Sequence, residues 1–181
     1  MNLPNKLTLL RTFMIPFFLF FLLTDYVGGE NSKFIALAIF IIASLTDLID
    51  GKIARKYNLV TNFGKFMDPL ADKLLVSSAL IAFTGMQKLP IWIVVVIISR
   101  EFIISGFRLV AADNGVVIAA SMWGKYKTTF QMLMIILLIA DLDVPYMDVI
   151  QNIFIYIALI LTVVSLVDYI VKNKSVMQGD I

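Results

Sequence analysis

The sequence predicts an all-α, polytopic membrane protein with six transmembrane helices and both termini in the cytoplasm. Of its 181 residues, 60% are hydrophobic and only 15% are charged, and the mean hydropathy is +0.93. Soluble domains carry about 25% charged residues, so this composition is typical of a chain that lies in a bilayer. Residues 1–181 are expected to form one membrane domain, because the length leaves no room for a separate soluble one.

Six apolar segments, separated by polar or glycine-containing stretches, form the predicted helices. Pro4 and Asn5 mark the start of the first, whose apolar run extends from about Thr12 to Leu23. No small-residue cleavage site precedes Thr24, so we expect a retained span rather than a signal peptide. The second helix is expected to start near Phe34 and to be followed by a loop from Tyr57 to Phe63. The others are expected at about Asp68 to Thr84, Pro90 to Ala111, Gly124 to Ala140 and Tyr146 to Val171.

The basic residues predict the orientation of these helices. With the amino terminus inside, only Lys33 and Lys88 lie at outer ends. The inner ends and loops then hold Lys6, Arg11, Lys52, Arg55, Lys56, Lys65, Lys73, Lys125, Lys127, Lys172 and Lys174. Such an excess of basic residues marks the cytoplasmic side of a membrane protein.

Two absent residue types restrict the chemistry of any site. The chain has no cysteine and no histidine, which excludes disulfides and thiolate or histidine metal sites. A general base must therefore be Asp, Glu, Lys or Tyr. The net charge of +2 is too small to indicate a nucleic-acid partner.

Four aspartates lie between the second and third apolar segments: Asp47, Asp50, Asp68 and Asp72. An aspartate at mid-bilayer costs roughly 2.5–3.5 kcal/mol, so something must offset its charge. Asp47 and Asp50 share one helical face, and Asp68 and Asp72 share another. If these faces meet, two divalent cations would neutralise the four carboxylates. Carboxylate oxygens favour Mg²⁺ or Mn²⁺, and a two-metal site suits displacement at phosphorus.

The residues around the aspartates fit a phosphate-containing ligand. Gly51 and Gly64 leave space beside the acids for a bulky group, and Arg55 offers a planar fork for phosphate. In the alternative interpretation, Asp68 and Pro69 form an ordinary helix start, Asp50-Gly51 is a turn, and the basic residues are a charge run facing the inner side: Lys52, Arg55 and Lys56. That alternative leaves the other two aspartates unexplained.

A second group of polar residues lies in and beside the fourth and fifth helices. Arg108 follows Arg100 by eight residues on roughly the same face, and Lys125 and Lys127 open the next helix on that inner side. We expect Arg108, Lys125 and Lys127 to converge near the aspartates and to bind an anionic acceptor, with Arg100 as an additional contact. Alternatively, the two lysines are inner-side anchors, and Arg100-Glu101 is a local pair that ties its helix to a neighbour.

The pattern D-x2-D-G-x2-A-R-x8-G-x3-D-x3-D resembles the signature of the CDP-alcohol phosphatidyltransferases. It is matched by Asp47, Asp50, Gly51, Ala54, Arg55, Gly64, Asp68 and Asp72. The resemblance implies a six-helix membrane enzyme, usually a homodimer, that moves a phosphatidyl or similar group from a CDP-linked donor to an alcohol and releases CMP. It also implies that the aspartates hold the metals, that Asp72 is the general base, and that Gly51, Ala54, Arg55 and Gly64 line the donor site.

Three further patterns resemble the phosphatidylglycerophosphate synthase branch of that family: N-L-P-N-x2-T-x2-R from Asn2, R-E-F from Arg100, and G-K-x-K-T from Gly124. This resemblance implies CDP-diacylglycerol as donor and sn-glycerol 3-phosphate as acceptor, in a bacterial cell membrane. The distribution of basic residues predicts that the site faces the cytoplasm. The expected additional donor contacts are Asn5, Thr8 and Arg11, for which a helix start with an interfacial anchor is the alternative. The expected acceptor contacts are Arg108, Lys125, Lys127 and Arg100.

Other functions remain open at this point. The same transfer to serine or inositol phosphate differs only in the acceptor. A small ion-coupled transporter also carries intramembrane aspartates, although here the acids cluster at one interface and no repeat is evident. A non-catalytic membrane subunit would not require four convergent acids.

Overall fold

A computed structural model describes residues 2–57, 61–113, 115–116, 118–119 and 121–174, and the side chains of 3, 48–56, 62 and 65 lie outside its description. The described residues form six α-helices and no strand. These are α1 (Leu3–Leu23), α2 (Gly29–Lys56), α3 (Asn62–Gly85), α4 (Ile91–Asp113), α5 (Met122–Ala140) and α6 (Met147–Asn173). The predicted all-α class is confirmed.

Three of the described helices are long and apolar enough to cross a membrane. Their apolar stretches are Pro4–Leu23 in α1, Gly29–Asp47 in α2 and Met147–Asn173 in α6. The helices α3, α4 and α5 lie outside that set, and the charged residues within them include Asp68 and Asp72 in α3 and Arg100 with Glu101 in α4.

Two helices begin earlier than the sequence predicts. α2 starts at Gly29 instead of near Phe34, because Gly28 turns the chain with φ +87° and its carbonyl accepts a bond from the amide of Asn31 at 2.8 Å. α3 starts at Asn62 instead of near Asp68, because the Thr61 side chain caps it. The interpretation of Asp68 and Pro69 as a helix start is therefore wrong, since both residues lie inside α3.

The remaining boundaries differ less. Asn2 caps α1 by accepting a hydrogen bond from the amide of Asn5 at 3.2 Å, and Pro4 lies in the first turn, as expected. α4 continues to Asp113 rather than Ala111, and α5 begins at Met122, two residues before its predicted start.

The described chain divides into two compact units, each with its own interior. The first comprises Met1–Lys88 and Leu138–Asp141, with α1 packed against both α2 and α3. Phe18 of α1 and Phe40 of α2 are fully buried and lie with their ring centroids 5.6 Å apart. Their burial supplies apolar stabilisation at the centre of this unit.

One end of the first unit is held by Asp141. Lys88 donates to its carboxylate Oδ2 at 2.5 Å, and Lys33 donates to its carbonyl at 3.1 Å. Lys33 lies in the first turns of α2, whereas Asp47 lies about 20 Å further along that helix at 1.5 Å per residue. The two lysines predicted at the outer side thus share one end of the unit, away from Asp47.

The second unit comprises Leu89–Leu137 and Leu142–Ile181. Here α4 packs against α6, with Ile97 and Ala158 fully buried. The side chain of Gln151 in α6 donates to the carbonyl of Leu137 in α5 at 3.1 Å. A tilted contact between Phe130 and Phe154, 6.0 Å between ring centroids, adds to the packing of these two helices.

Candidate functional site

The buried face of α1 changes from polar to apolar along its length. Asn5, Thr8 and Arg11 follow one another at three-residue intervals, so they lie on one side of the helix. All three are buried, and Thr8 and Arg11 have no exposed surface. Ile15 and Phe18 continue the same face as part of the apolar core. We call Asn5, Thr8 and Arg11 the polar stripe of α1.

The first acid contacted by the polar stripe is Asp47 of α2. Nη1 of Arg11 lies 2.6 Å from Oδ1 of Asp47, and the Asp47 side chain retains 33% of its exposure while Arg11 retains none. Such a short contact is typical of a charge-assisted hydrogen bond. The pair therefore joins α1 to α2 at the level of the predicted site.

The second acid is Asp68 of α3. The hydroxyl of Thr8 lies 2.5 Å from Oδ1 of Asp68 and 3.1 Å from the carbonyl of Pro4. Asp68 also lies close enough to Asp47 for the two charges to interact. The structure therefore brings together one acid from each half of the aspartate pattern.

The start of α3 is fixed to the same stripe. The Thr61 hydroxyl donates to Oδ1 of Asn5 at 2.9 Å, and Thr61 accepts a bond from the amide of Gly64 at 3.0 Å. A threonine at this position satisfies one of the unpaired amides of a helix start. The sequence analysis did not identify Thr61 as the residue that caps α3. A threonine three residues before Gly64 is the spacing that a helix cap requires, and it was the available signal.

Gly64 lies where α3 packs closely against the polar stripe. A Cβ at this position would lie 3.1 Å from Oδ1 of Asn5, 3.3 Å from Oγ1 of Thr61 and 3.5 Å from Oδ2 of Asp68. The space predicted beside Gly64 is therefore lined by polar atoms of Asn5, Thr61 and Asp68. Close packing against these atoms is a second reason for a glycine here, besides the expected contact with the donor.

The remaining acids are placed only in part. Asp72 is partly buried and follows Asp68 by one helical turn in α3. The helix α2 continues through Asp50 to Lys56. The predicted side-chain roles of Asp50, Gly51, Ala54 and Arg55 lie outside the described side chains.

The donor atoms of this site fit a hard divalent cation. Asp47 and Asp68 supply carboxylate oxygens and Thr8 a hydroxyl, and oxygen ligands of this kind suit Mg²⁺ or Mn²⁺. Among the side chains that the structure describes, no group of three acids is arranged to hold one ion. The convergence of all four aspartates therefore stays a prediction, with one pair, Asp47 and Asp68, brought together.

In the second unit, two predicted acceptor contacts meet at Glu101. Nη1 of Arg100 donates to Oε1 of Glu101 at 3.0 Å, and Nζ of Lys127 bonds to the same oxygen. Both cations are buried. Because Lys127 belongs to α5, this group joins α4 to α5. We call Arg100, Glu101 and Lys127 the Glu101 cluster.

The Glu101 cluster also reaches α6. Nε of Arg100 donates to the buried hydroxyl of Ser165 at 3.2 Å. This contact supports the alternative in which the Arg100-Glu101 pair ties its helix to a neighbour. Nothing in the sequence around Ser165 signalled its part in this network.

The other two predicted acceptor contacts lie at the surface of the second unit. Arg108 is exposed, and its guanidinium carbon lies 5.9 Å from the ring centroid of Tyr169, a cation–π contact. Its charge is near enough to act on Arg100. Lys125 is exposed. The four basic residues are therefore divided between a buried pair and an exposed pair.

The sequence is similar to known proteins along nearly its whole length. It is 47% identical over 184 residues, 95% of each chain, to a Bacillus subtilis protein named CDP-diacylglycerol–glycerol-3-phosphate 3-phosphatidyltransferase. A protein of the same name from Haemophilus influenzae is 41% identical over 99% of this chain and 97% of its own. A Mycobacterium tuberculosis protein named probable phosphatidylglycerophosphate synthase is 43% identical over 94% of this chain and 81% of its own.

The family model described as CDP-alcohol phosphatidyltransferase matches residues 1–164. This range includes the polar stripe, the aspartate pattern and the Glu101 cluster. The chain therefore belongs to the CDP-alcohol phosphatidyltransferase family, as the spacing of its aspartates predicts.

Proposed function

We propose that this protein transfers the phosphatidyl group of CDP-diacylglycerol to sn-glycerol 3-phosphate, yielding phosphatidylglycerophosphate and CMP. The main support is its identity of 41–47% to two proteins named for this reaction, over at least 95% of each chain. The contacts of Asp47 and Asp68 with one polar stripe agree with this proposal, because they bring acids from α2 and α3 to a common place.

In this proposal, Asp47, Asp50, Asp68 and Asp72 hold two divalent ions, Mg²⁺ or Mn²⁺. When bound, such ions offset the charge of a diphosphate and stabilise the departing oxygen. Asp72 accepts the proton from the primary hydroxyl of glycerol 3-phosphate. The hydroxyl oxygen then attacks the lipid-side phosphorus, the bond to the CMP oxygen breaks, and CMP leaves. The acids thus supply both the cation ligands and the base, in a chain that has no histidine.

The donor and the acceptor are assigned to different residues. The cytidine end of the donor lies near Gly51, Arg55 and Gly64. The further proposed donor contacts are Ala54, Asn5, Thr8 and Arg11. The acceptor phosphate binds Arg108, Lys125, Lys127 and Arg100. Support comes from the charge of this second group, where Arg100, Lys127 and Arg108 bring three positive charges against the one carboxylate of Glu101. An excess of positive charge suits a phosphate ligand.

The proposed setting is a bacterial cell membrane, with six spans in one domain, cytoplasmic termini and the active site facing the cytoplasm. The distribution of lysine and arginine supports this orientation. So does the meeting of Lys33 and Lys88 at Asp141, at the end of the first unit away from Asp47. The active form is proposed to be a homodimer, as is usual in the family.

Product formation with a panel of acceptors tests this function. Purified protein in detergent or nanodiscs receives CDP-diacylglycerol with glycerol 3-phosphate, serine or inositol phosphate, and CMP and lipid products are measured. We expect CMP and phosphatidylglycerophosphate with glycerol 3-phosphate alone. Transfer to serine or inositol phosphate instead would replace the proposed acceptor. Ion flux in liposomes without CMP release would indicate a transporter.

A further inference from the structure

Arg11 is a fully buried charge in the first turns of an apolar helix. Its guanidinium has no exposed surface, and an arginine remains protonated at any physiological pH. Burying an ion of this kind is costly unless it is paired and hydrogen-bonded. The position therefore requires a compensating anion in the folded protein.

Asp47 is that anion, and its own surroundings explain why it needs Arg11. Asp47 is partly withdrawn from water and also interacts with the charge of Asp68. Two neighbouring carboxylates repel each other more strongly when water is partly excluded. In the absence of a metal, Arg11 is the cation that the described structure places directly on Asp47, at 2.6 Å.

We infer that Arg11 is a positioning residue, an internal counter-cation that keeps the Asp47 carboxylate in place when no metal is bound. The metal-free protein then retains the packing of α1 against α2, and a cation enters a site that is already formed. The inference rests on the proposed function in one respect, that Asp47 is a metal ligand. The inference gives Arg11 a role in assembling the metal site, and this role is separate from its proposed contact with the donor.

This role predicts an unequal effect of removing Arg11. Without the guanidinium, Asp47 loses the cation that the described side chains place on it and still interacts with the charge of Asp68, whereas a bound divalent ion would offset both carboxylates. Loss of Arg11 is therefore expected to lower the stability of the metal-free form more than that of the metal-bound form. A side chain that only fills space would destabilise both forms equally.

The thermal unfolding midpoint of the purified full-length protein, in chelator and in saturating Mn²⁺, tests this inference. The variants are Arg11→Met, which keeps much of the length without the charge, Arg11→Lys, and Lys6→Met, which removes an exposed cation from the same helix. In chelator, Arg11→Met is expected to lower the midpoint by at least about 5 °C. Addition of Mn²⁺ should raise the midpoint of Arg11→Met by more than it raises that of the wild type. The Arg11→Lys variant should show an intermediate rise, and Lys6→Met should behave like the wild type.

Two results would overturn the inference: equal losses with and without Mn²⁺, or no loss in chelator. Should Arg11→Met fail to fold, the double variant Arg11→Met/Asp47→Asn decides. It removes both charges, so recovery of folded protein supports the pairing, and absence of recovery refutes it.

Different results would refute the proposed function and this inference. Lack of CMP release by the wild type would refute the function. The metal-free coupling between Arg11 and Asp47 would still be measurable in the same preparations.

Discussion

The hydroxyl of Thr8 donates a hydrogen bond across 2.5 Å to Oδ1 of Asp68, a residue sixty positions further along the chain. Thr8 is fully buried, whereas Asp68 lies partly open within α3. The buried Thr8 side chain therefore fixes the orientation of the Asp68 carboxylate from its protein-facing side. This contact shows that the first helix takes part in assembling the acid site.

Replacing Thr8 by valine should lower turnover without unfolding the protein. Valine keeps the shape but loses the donor, and a hydrogen bond to a charged group contributes about 1.5–3 kcal/mol, so we expect a loss of roughly 10- to 100-fold in kcat. Thr8→Ser should retain most of the activity. Thr12→Val, one turn further on the same helix, is the control for a general effect on α1. Wild-type turnover in Thr8→Val would show that the bond does not orient Asp68.

Asp72→Asn should abolish turnover and largely spare donor binding. The amide resembles the carboxylate in size but does not take up the proton of the acceptor hydroxyl, and a positioned base contributes about 10²- to 10⁴-fold. CMP release measures turnover, and binding of CDP-diacylglycerol is measured separately on the same preparation. Activity close to that of the wild type would remove Asp72 from the role of base.

Gly64→Ala should reduce both activity and the unfolding midpoint. The added methyl would lie 3.1 Å from Oδ1 of Asn5 and 3.3 Å from Oγ1 of Thr61, so these two hydrogen-bonded side chains must shift to make room for it. The matched control is Gly106→Ala in α4, where nothing lies within 4 Å of an added Cβ. That change should leave the midpoint unchanged or raise it, since alanine favours helices. Equal activity and an equal unfolding midpoint in Gly64→Ala and Gly106→Ala would contradict tight packing between Gly64 and the polar stripe.

Arg108→Ala should raise the KM for glycerol 3-phosphate or lower kcat, because it removes a positive charge from the proposed acceptor group. Initial rates at varied acceptor concentration, with the donor held constant, measure the effect. Lys174→Ala, which removes a cation near the end of α6, serves as the control. An unchanged response to the acceptor would exclude Arg108 from phosphate binding.

Much of the first unit follows from local signals in the sequence. The cap at Asn2, the proline in the first turn and the three-residue spacing of Asn5, Thr8 and Arg11 all predict a helix with these residues on one side. The spacing of the acids likewise predicts that Asp47 shares a face with Asp50 and that Asp68 shares a face with Asp72, whereas the meeting of these two faces depends on helix packing. Local spacing is sufficient for such shared faces because residues on one helix keep a fixed periodicity.

Other features depend on relations that a single sequence does not contain. Thr61 and Asp68 are both acceptable helix caps, and the contact of Thr61 with Asn5 favours the earlier start of α3. Pairing of Arg11 with Asp47 depends on the register of α1 against α2. The sharing of Glu101 by Arg100 and Lys127 depends in the same way on how α5 lies beside α4.

The most direct test of the central claim is the binding of Mn²⁺ to the purified protein, followed by electron paramagnetic resonance with and without CDP-diacylglycerol. Two bound ions per chain are predicted for the wild type in the presence of donor. Asp47→Asn or Asp68→Asn should lose Mn²⁺ binding together with CMP release. Unaltered Mn²⁺ binding in both variants, or full activity of the wild type in excess chelator, would contradict a site in which these aspartates hold the ions.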